Sequence, residues 1–388
     1  MLLHVDLSDI RGLFAGIAAL AVHHLLVTLC LGGGEVLRGP PHQAIDMPAR
    51  DRVARRSGAD VTDQDLLPGS LLRRPGEIRA DARFRGCQID DPQLARVLSP
   101  DAPLLVLHAG TIHAEGPAWQ ASHRRLLFSD VPNRRLNAWY EEDARVEVVI
   151  DATWFMNGNA VAADGSVWHC EHGRRCISRS NSDFDGEPVP IVTHFEGRRL
   201  NSPNDVTVAP DGSIWFTDPI FGIVMPSQGA LAQPELDHRS VYRFDPALDE
   251  LTRVADFEQP NGVALSADGA TLYVSDTSLS LGEVPGFSAG SKHEVERFTR
   301  RSDGGWGGRA RFCRTDHGYP DGFATDERGW LWVSAADGVH VWSAEGVRLG
   351  FVPIGATVSN LSFGGSDGRR LFIAAGSRLL ALDLEAGT

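Results

Sequence analysis

Lysine is almost missing from this 388-residue chain: Lys292 stands alone among 37 basic side chains, and the rest are arginine. Schiff-base catalysis is thereby nearly excluded, because the single candidate sits in the Gly- and Ser-rich stretch GFSAGSKHE, which reads as a loop. The five cysteines (Cys30, Cys87, Cys170, Cys176 and Cys313) contain no Cys-x-x-Cys pair, so zinc knuckles and dithiol redox motifs are absent, and they read as thiols of a reducing compartment. No serine elbow leads from a strand into a helix, and no spacing marks a Ser-His-Asp set. The Gly-rich GGGEVLRG near residue 33 and GGWGG near 306 lack the strand-to-helix setting of a phosphate loop. A sustained period near 3.6 is missing from the later chain, so helix should be scarce.

Charge is one-sided. The net charge is −14, yet the first hundred residues balance twelve arginines against twelve acidic side chains, so the whole excess lies beyond them. Such a domain repels phosphate backbones, which excludes nucleic acid as a partner and leaves carboxylates available for a cation or a neutral substrate. Residues 13–32 (LFAGIAALAVHHLLVTLCLG) are mostly apolar and about as long as a membrane span. Asp6 and Asp9 precede them, His23 and His24 interrupt them, and no Ala-x-Ala site follows. The expectation is a cytoplasmic protein with no membrane partner, a periplasmic or anchored one being the alternative. Residues 33–80 are rich in Arg, Asp, Gly and Pro without apolar period. The chain divides into an N-terminal extension, 1–83, and one domain, 84–388.

Beyond residue 100 the sequence repeats. Six segments share a polar anchor, a short alternating strand, a turn and a second strand rich in Trp, Phe or Tyr: EGPAWQASHRRLLFSD, NGNAVAADGSVWHCEH, NDVTVAPDGSIWFTD, NGVALSADGATLYVSD, DGFATDERGWLWVSA and NLSFGGSDGRRLFIAA. Their anchors are Glu115, Asn157, Asn204, Asn261, Asp321 and Asn360, spaced by 42, 47, 57, 60 and 39 residues. Seven residues after each Asn anchor stands the Asp of an Asp-Gly pair (Asp164, Asp211, Asp268 and Asp367), a strong hairpin signal. A period of this size with two-residue alternation predicts an all-β, six-bladed β-propeller of four-stranded antiparallel blades. The Val- and Leu-rich PLLVLHAG ahead of Glu115 could supply the strand that closes the last blade onto the first.

If each anchor opens the innermost strand of its blade, six oxygen-bearing side chains ring one channel mouth. The plain alternative is that Asn and Asp merely cap turns. Glu115 and Asp321 would bring two negative charges and Asn204 and Asn261 two amide oxygens, a shell suited to one divalent ion, calcium or magnesium before zinc or manganese. Each is followed by Gly or preceded by Pro, as a crowded site requires. Asn157, His172 and Arg199 are candidates for substrate binding, with channel filling, a structural role and a solvated surface as their respective alternatives; His113, beside Glu115, is a further one. Asp130, Asp218 and Asp276 end equivalent second strands and read as loop-bonding residues.

EGPAW at 115–119, LNSPNDV at 200–206, QPNGVALS at 259–266 and YPDGFATD at 319–326, in that order, together with CEHGRR and WFTDPIFGI, resemble the SMP-30 (regucalcin), gluconolactonase and luciferin-regenerating enzyme family, above all its bacterial gluconolactonase branch. The resemblance runs from about residue 84 to the end. It implies a six-bladed propeller, one divalent metal held by Glu115, Asn204, Asn261 and Asp321, and hydrolysis of a sugar lactone, with Asp321 as the general base. Lactone opening needs a polarised carbonyl and an activated water, which such an ion favours; Asp321 would deprotonate that water or only orient it. The alternative function is a non-catalytic calcium-binding or protein-binding module.

Overall fold

The computed structural model describes residues 78–281 and 290–386; the apolar run 13–32, the extension up to residue 77 and the first four residues of GFSAGSKHE lie outside the described residues. Six antiparallel sheets follow one another along the chain. Blade 1 consists of strands Ala114–Gln120, Arg125–Asp130, Arg135–Tyr140 and Val146–Asp151. Blade 2 begins at Met156–Val161, blade 3 at Val206–Val208, blade 4 at Pro260–Leu265, blade 5 at Phe323–Thr325 and blade 6 at Val358–Gly364. The first strands touch in sequence, and that of blade 6 returns to that of blade 1, so they line the axis. The six-bladed, four-stranded architecture expected from the repeats is the one observed.

Closure occurs where the sequence suggested. Leu105–Ala109 pairs antiparallel with Arg378–Asp383, making the fourth strand of blade 6 from residues that precede blade 1. Short edge strands add to two blades, Arg79–Ala80 to blade 6 and Gln88–Ile89 to blade 5. At the first hairpins, Gly165, Gly212, Gly269 and Gly368 adopt φ between +66 and +83°, which a side chain would strain, and the preceding Asp carboxylates accept main-chain N–H bonds within each turn. Helix is indeed scarce: among the described residues the sole α-helix is Phe221–Val224. No helix among them is long and apolar enough to cross a membrane.

The apolar core is divided into six clusters, one at each seam between neighbouring blades. Trp168, Ile177 and Val192 of blade 2, for example, pack on Ile214, Phe216 and Tyr242 of blade 3. Successive side chains of a strand point to opposite faces, so Leu126 and Phe128 enter the seam with blade 6 while Leu127 between them enters the seam with blade 2. Second strands are consequently buried almost throughout, and Arg125–Asp130 at every residue. The closing strand joins this packing through Leu107, which is 3 % exposed and shares a cluster with Phe128, Trp139, Phe372 and Leu379. Leu107→Ala should cost about 2–5 kcal/mol of unfolding free energy, the usual range for a buried leucine. Urea denaturation is the check, and a loss under about 1 kcal/mol would show that the seam does not depend on this strand.

Candidate metal centre

All six anchors lie at the start of first strands, at one end of the channel. The strands approach so closely there that the residue after an anchor is glycine in four blades. A Cβ on Gly116 would collide with the Asn157 carbonyl, and one on Gly322 with the Asn360 side chain. Hydroxyls bolt the seams at the same level. Ser129 donates to the Asn157 carbonyl at 2.8 Å, Thr217 to that of Asn261 at 2.6 Å and Ser275 to that of Asp321 at 2.9 Å. Ser359 closes the circle on the Ala114 carbonyl at 2.7 Å.

Three anchor loops are held by a carboxylate at the end of a second strand. Asp130 accepts from the main-chain N–H groups of Ile112 and His113, Asp218 from Asn201 and Ser202, and Asp276 from Glu258 and Gln259. These are the loop bonds that the repeat predicted. They orient the segments that deliver Glu115, Asn204 and Asn261.

Glu115, Asn157, Asn204, Asn261 and Asn360 are all buried, and Asp321 is half-buried. Burial, followed by the negative charges of Glu115 and Asp205, raises the Asp321 carboxyl far above the ordinary carboxylate range, although Asn261 donates a hydrogen bond to it. Asp205 is pushed up to about 7, first by burial and also by Glu115, against hydrogen bonds from the Val263 N–H (3.1 Å) and Asn360 Nδ2 (3.2 Å). His113 Nε2 lies 3.2 Å from Glu115 Oε1; desolvation lowers that imidazole, and the carboxylate outweighs it and raises it. No arginine or lysine pairs with Glu115, Asp205 or Asp321 among the described residues.

This donor set fits a hard divalent ion. Three carboxyl groups repel one another with no arginine or lysine among them and only His113 beside Glu115, and the oxygens around them are carboxylate and amide. Among the described residues no three His, Cys, Asp or Glu side chains converge tightly enough to hold an ion by themselves. Any shell built on Glu115 and Asp321 would have to draw further oxygens from the asparagine amides. Asn204 makes its one side-chain hydrogen bond through Nδ2, leaving Oδ1 without a donor among the described residues.

The candidate substrate residues separate. His172 reaches the ring, with Nε2 3.4 Å from Asn157 Nδ2 and 3.5 Å from Asn204 Nδ2, and burial pushes it down to about 4, so it is neutral. Arg199 belongs to the hairpin His194–Phe195/Arg198–Arg199; its Nη2 donates to the Arg174 carbonyl at 2.8 Å, and no hydrogen bond ties it to an anchor. Sequence reasoning overlooked Asp205 and the bolting hydroxyls. Both leave a signal in the aligned repeats: Asp205 interrupts a column otherwise Gly, Gly, Gly, Gly and Leu, and Ser129, Thr217, Ser275 and Ser334 fill one column of second-strand ends.

The raised carboxyls give a pH signature. A native carboxyl that holds its proton more tightly than the unfolded chain stabilises the fold while protonated and loses that contribution as pH climbs from 3.8 to about 7, the range set by Asp205. In EDTA, the thermal midpoint of Asp205→Asn relative to the parent should therefore rise between about pH 5 and about pH 8. Calorimetry at the two pH values tests this, and a relative midpoint that falls would reverse the assignment.

Comparison with known proteins bears on the family. The pattern of the SMP-30/Gluconolactonase/LRE-like region matches residues 113–377. A gluconolactonase of Zymomonas mobilis is 30% identical over 302 residues, 73% of this chain and 82% of that protein. A pentonolactonase of Haloferax volcanii is 25% identical over 268 residues, 67% of this chain and 80% of its own. Among solved structures, a gluconolactonase from Xanthomonas campestris superposes with a TM-score of 0.74 at 44% identity, covering 81% of this chain and 99% of that one. With fold, anchor order and sequence pattern in agreement, the chain belongs to the SMP-30/gluconolactonase/LRE-like family.

Proposed function

We propose that this protein is a lactonase that hydrolyses the ester of a sugar lactone at the anchor ring, with one divalent ion, calcium first, held by Glu115, Asn204, Asn261 and Asp321. The observation that carries the reading is the crowding of the Glu115 and Asp321 carboxyl groups, with no arginine or lysine beside them, against amide oxygens at one channel mouth. The names of the relatives, gluconolactonase and pentonolactonase, support the substrate class.

When bound, the ion would polarise the lactone carbonyl and stabilise the charge that develops on its oxygen. Glu115, steadied by His113, supplies a carboxyl group to the site. Asp321 holds the attacking water and takes its proton; the water oxygen bonds to the carbonyl carbon, the ring C–O bond breaks, and the proton passes to the departing alkoxide. The bolted carbonyl of Asp321 and the hydrogen bond from Asn261 fix that carboxylate in place, so little reorganisation accompanies the step. Asn157 binds a substrate hydroxyl at the rim.

A pH-indicator assay across five- and six-membered aldonolactones, on EDTA-treated protein with calcium, magnesium, manganese or zinc restored singly, tests the reading. Restored turnover is expected, with a loss of about 100-fold or more in Asp321→Asn. If folded, ion-binding protein opened no lactone faster than the spontaneous rate, the hydrolase reading would be abandoned for a calcium-binding module.

A further inference from the structure

Asn157 and Asn204 come from neighbouring blades, yet one imidazole nitrogen stands against both amides. Nε2 of His172 lies 3.4 Å from Nδ2 of Asn157 and 3.5 Å from Nδ2 of Asn204. The other ring nitrogen, Nδ1, lies 2.8 Å from the carbonyl oxygen of Gln228, an atom that only accepts. The ring hydrogen of the neutral imidazole is therefore on Nδ1, and Nε2 carries a lone pair. A lone pair facing two amides requires both to present nitrogen, since an amide oxygen there would meet it without a hydrogen between them. With their nitrogens so committed, both amides turn Oδ1 away from the imidazole, and neither Oδ1 accepts a hydrogen bond from any described residue.

The carbonyl that selects this tautomer belongs to the segment between the second and third strands of blade 3, residues 219–238. The same segment presses on the ring. A Cβ on Gly222 would collide with Cβ and Cγ of His172, and one on Gly229 would collide with the Gly222 carbonyl, so Gly222 lies against His172 and Gly229 against Gly222. Gly222 N–H also donates to Ser202 Oγ at 3.0 Å, two residues before Asn204. The inserted segment thus controls where His172 sits and which nitrogen carries its hydrogen.

We propose that His172 is a positioning residue that never touches the reacting atoms: by accepting a hydrogen bond from both amides, it sets Asn204 oxygen-first toward the ion and Asn157 oxygen-first toward the lactone. The proposal rests on the cation and lactone reading of the ring. It replaces direct substrate binding by His172 with control of two ligand oxygens from a segment that contributes no ligand.

Two measurements test it. In metal-free, histidine-15N-labelled full-length protein, the long-range imidazole spectrum should show His172 hydrogenated at Nδ1 alone; hydrogen at Nε2 would overturn the proposal whether or not the ring takes an ion. By calorimetric titration with calcium, His172→Leu should bind about 10–100-fold more weakly, the usual effect of losing a residue that orients a ligand. His172→Gln, whose side-chain oxygen reaches the former Nε2 position, should stay within about threefold of the parent. In lactone turnover, His172→Leu should raise KM through Asn157 and His172→Gln should restore it. Unchanged calcium affinity in folded His172→Leu would overturn the proposal alone. Should that variant not fold, a tenfold loss in His172→Gln would do so. A parent that binds no ion would remove the cation reading and this proposal with it, an outcome told apart from the others because the tautomer is read without metal.

Discussion

A sheet buried on both faces cannot stand alone, and all six sheets here are buried on both faces. Each apolar cluster is assembled from two blades, so the burial that holds blade 1 is completed by Phe372 and Leu379 of blade 6 on one side and by Met156 and Val167 of blade 2 on the other. Leaving out one blade would expose two seams. At about 25 cal/mol per Å² of apolar surface, that exposure outweighs any hydrogen bond within the sheet. The chain's early residues must therefore return to its last blade, and pairing of Leu105–Ala109 with Arg378–Asp383 achieves this.

The same circle assembles the chemistry. Carboxylates are costly to bury without counter-charge, and a close-packed core of six blades would ordinarily reject them. Here, they are tolerated because the first strands need a polar filling at the axis end: their carbonyls are taken by hydroxyls from the neighbouring blade, and their side chains face one another. Three carboxyl groups and several amides thus accumulate at one point without any local cluster in the sequence. Packing creates the electrostatic demand that a divalent ion would answer.

How much of this was legible depends on periodicity. The six anchors, the Asp-Gly hairpins and the closing Leu- and Val-rich run repeat in register, so ring, blade count and candidate ligands could be read directly. The second strands were less readable as alternating elements, since every residue from Arg125 to Asp130 is buried and the apolar pattern becomes continuous. Asp205 was hidden by its adjacency to Asn204, where it looks like part of one motif; only comparison down the glycine column exposes it. Gln228 left no trace, because it acts through its main-chain carbonyl, which any residue carries. Arg199 drew attention by its place before LNSPND, yet the hairpin turns it to the Arg174 carbonyl.

The pairing of His108 with Leu379 also has a temporal meaning. A ribosome delivers the early partner long before the late one, and the two lie most of the domain apart in the chain. Until the final strands emerge, blade 1 has only one neighbour and Glu115 faces no completed circle. Non-local closure of this kind is slow and leaves strand edges open in the meantime. The nascent chain therefore cannot close its ring of anchors until blade 6 has emerged, which makes that blade the step that commits both the fold and the ring.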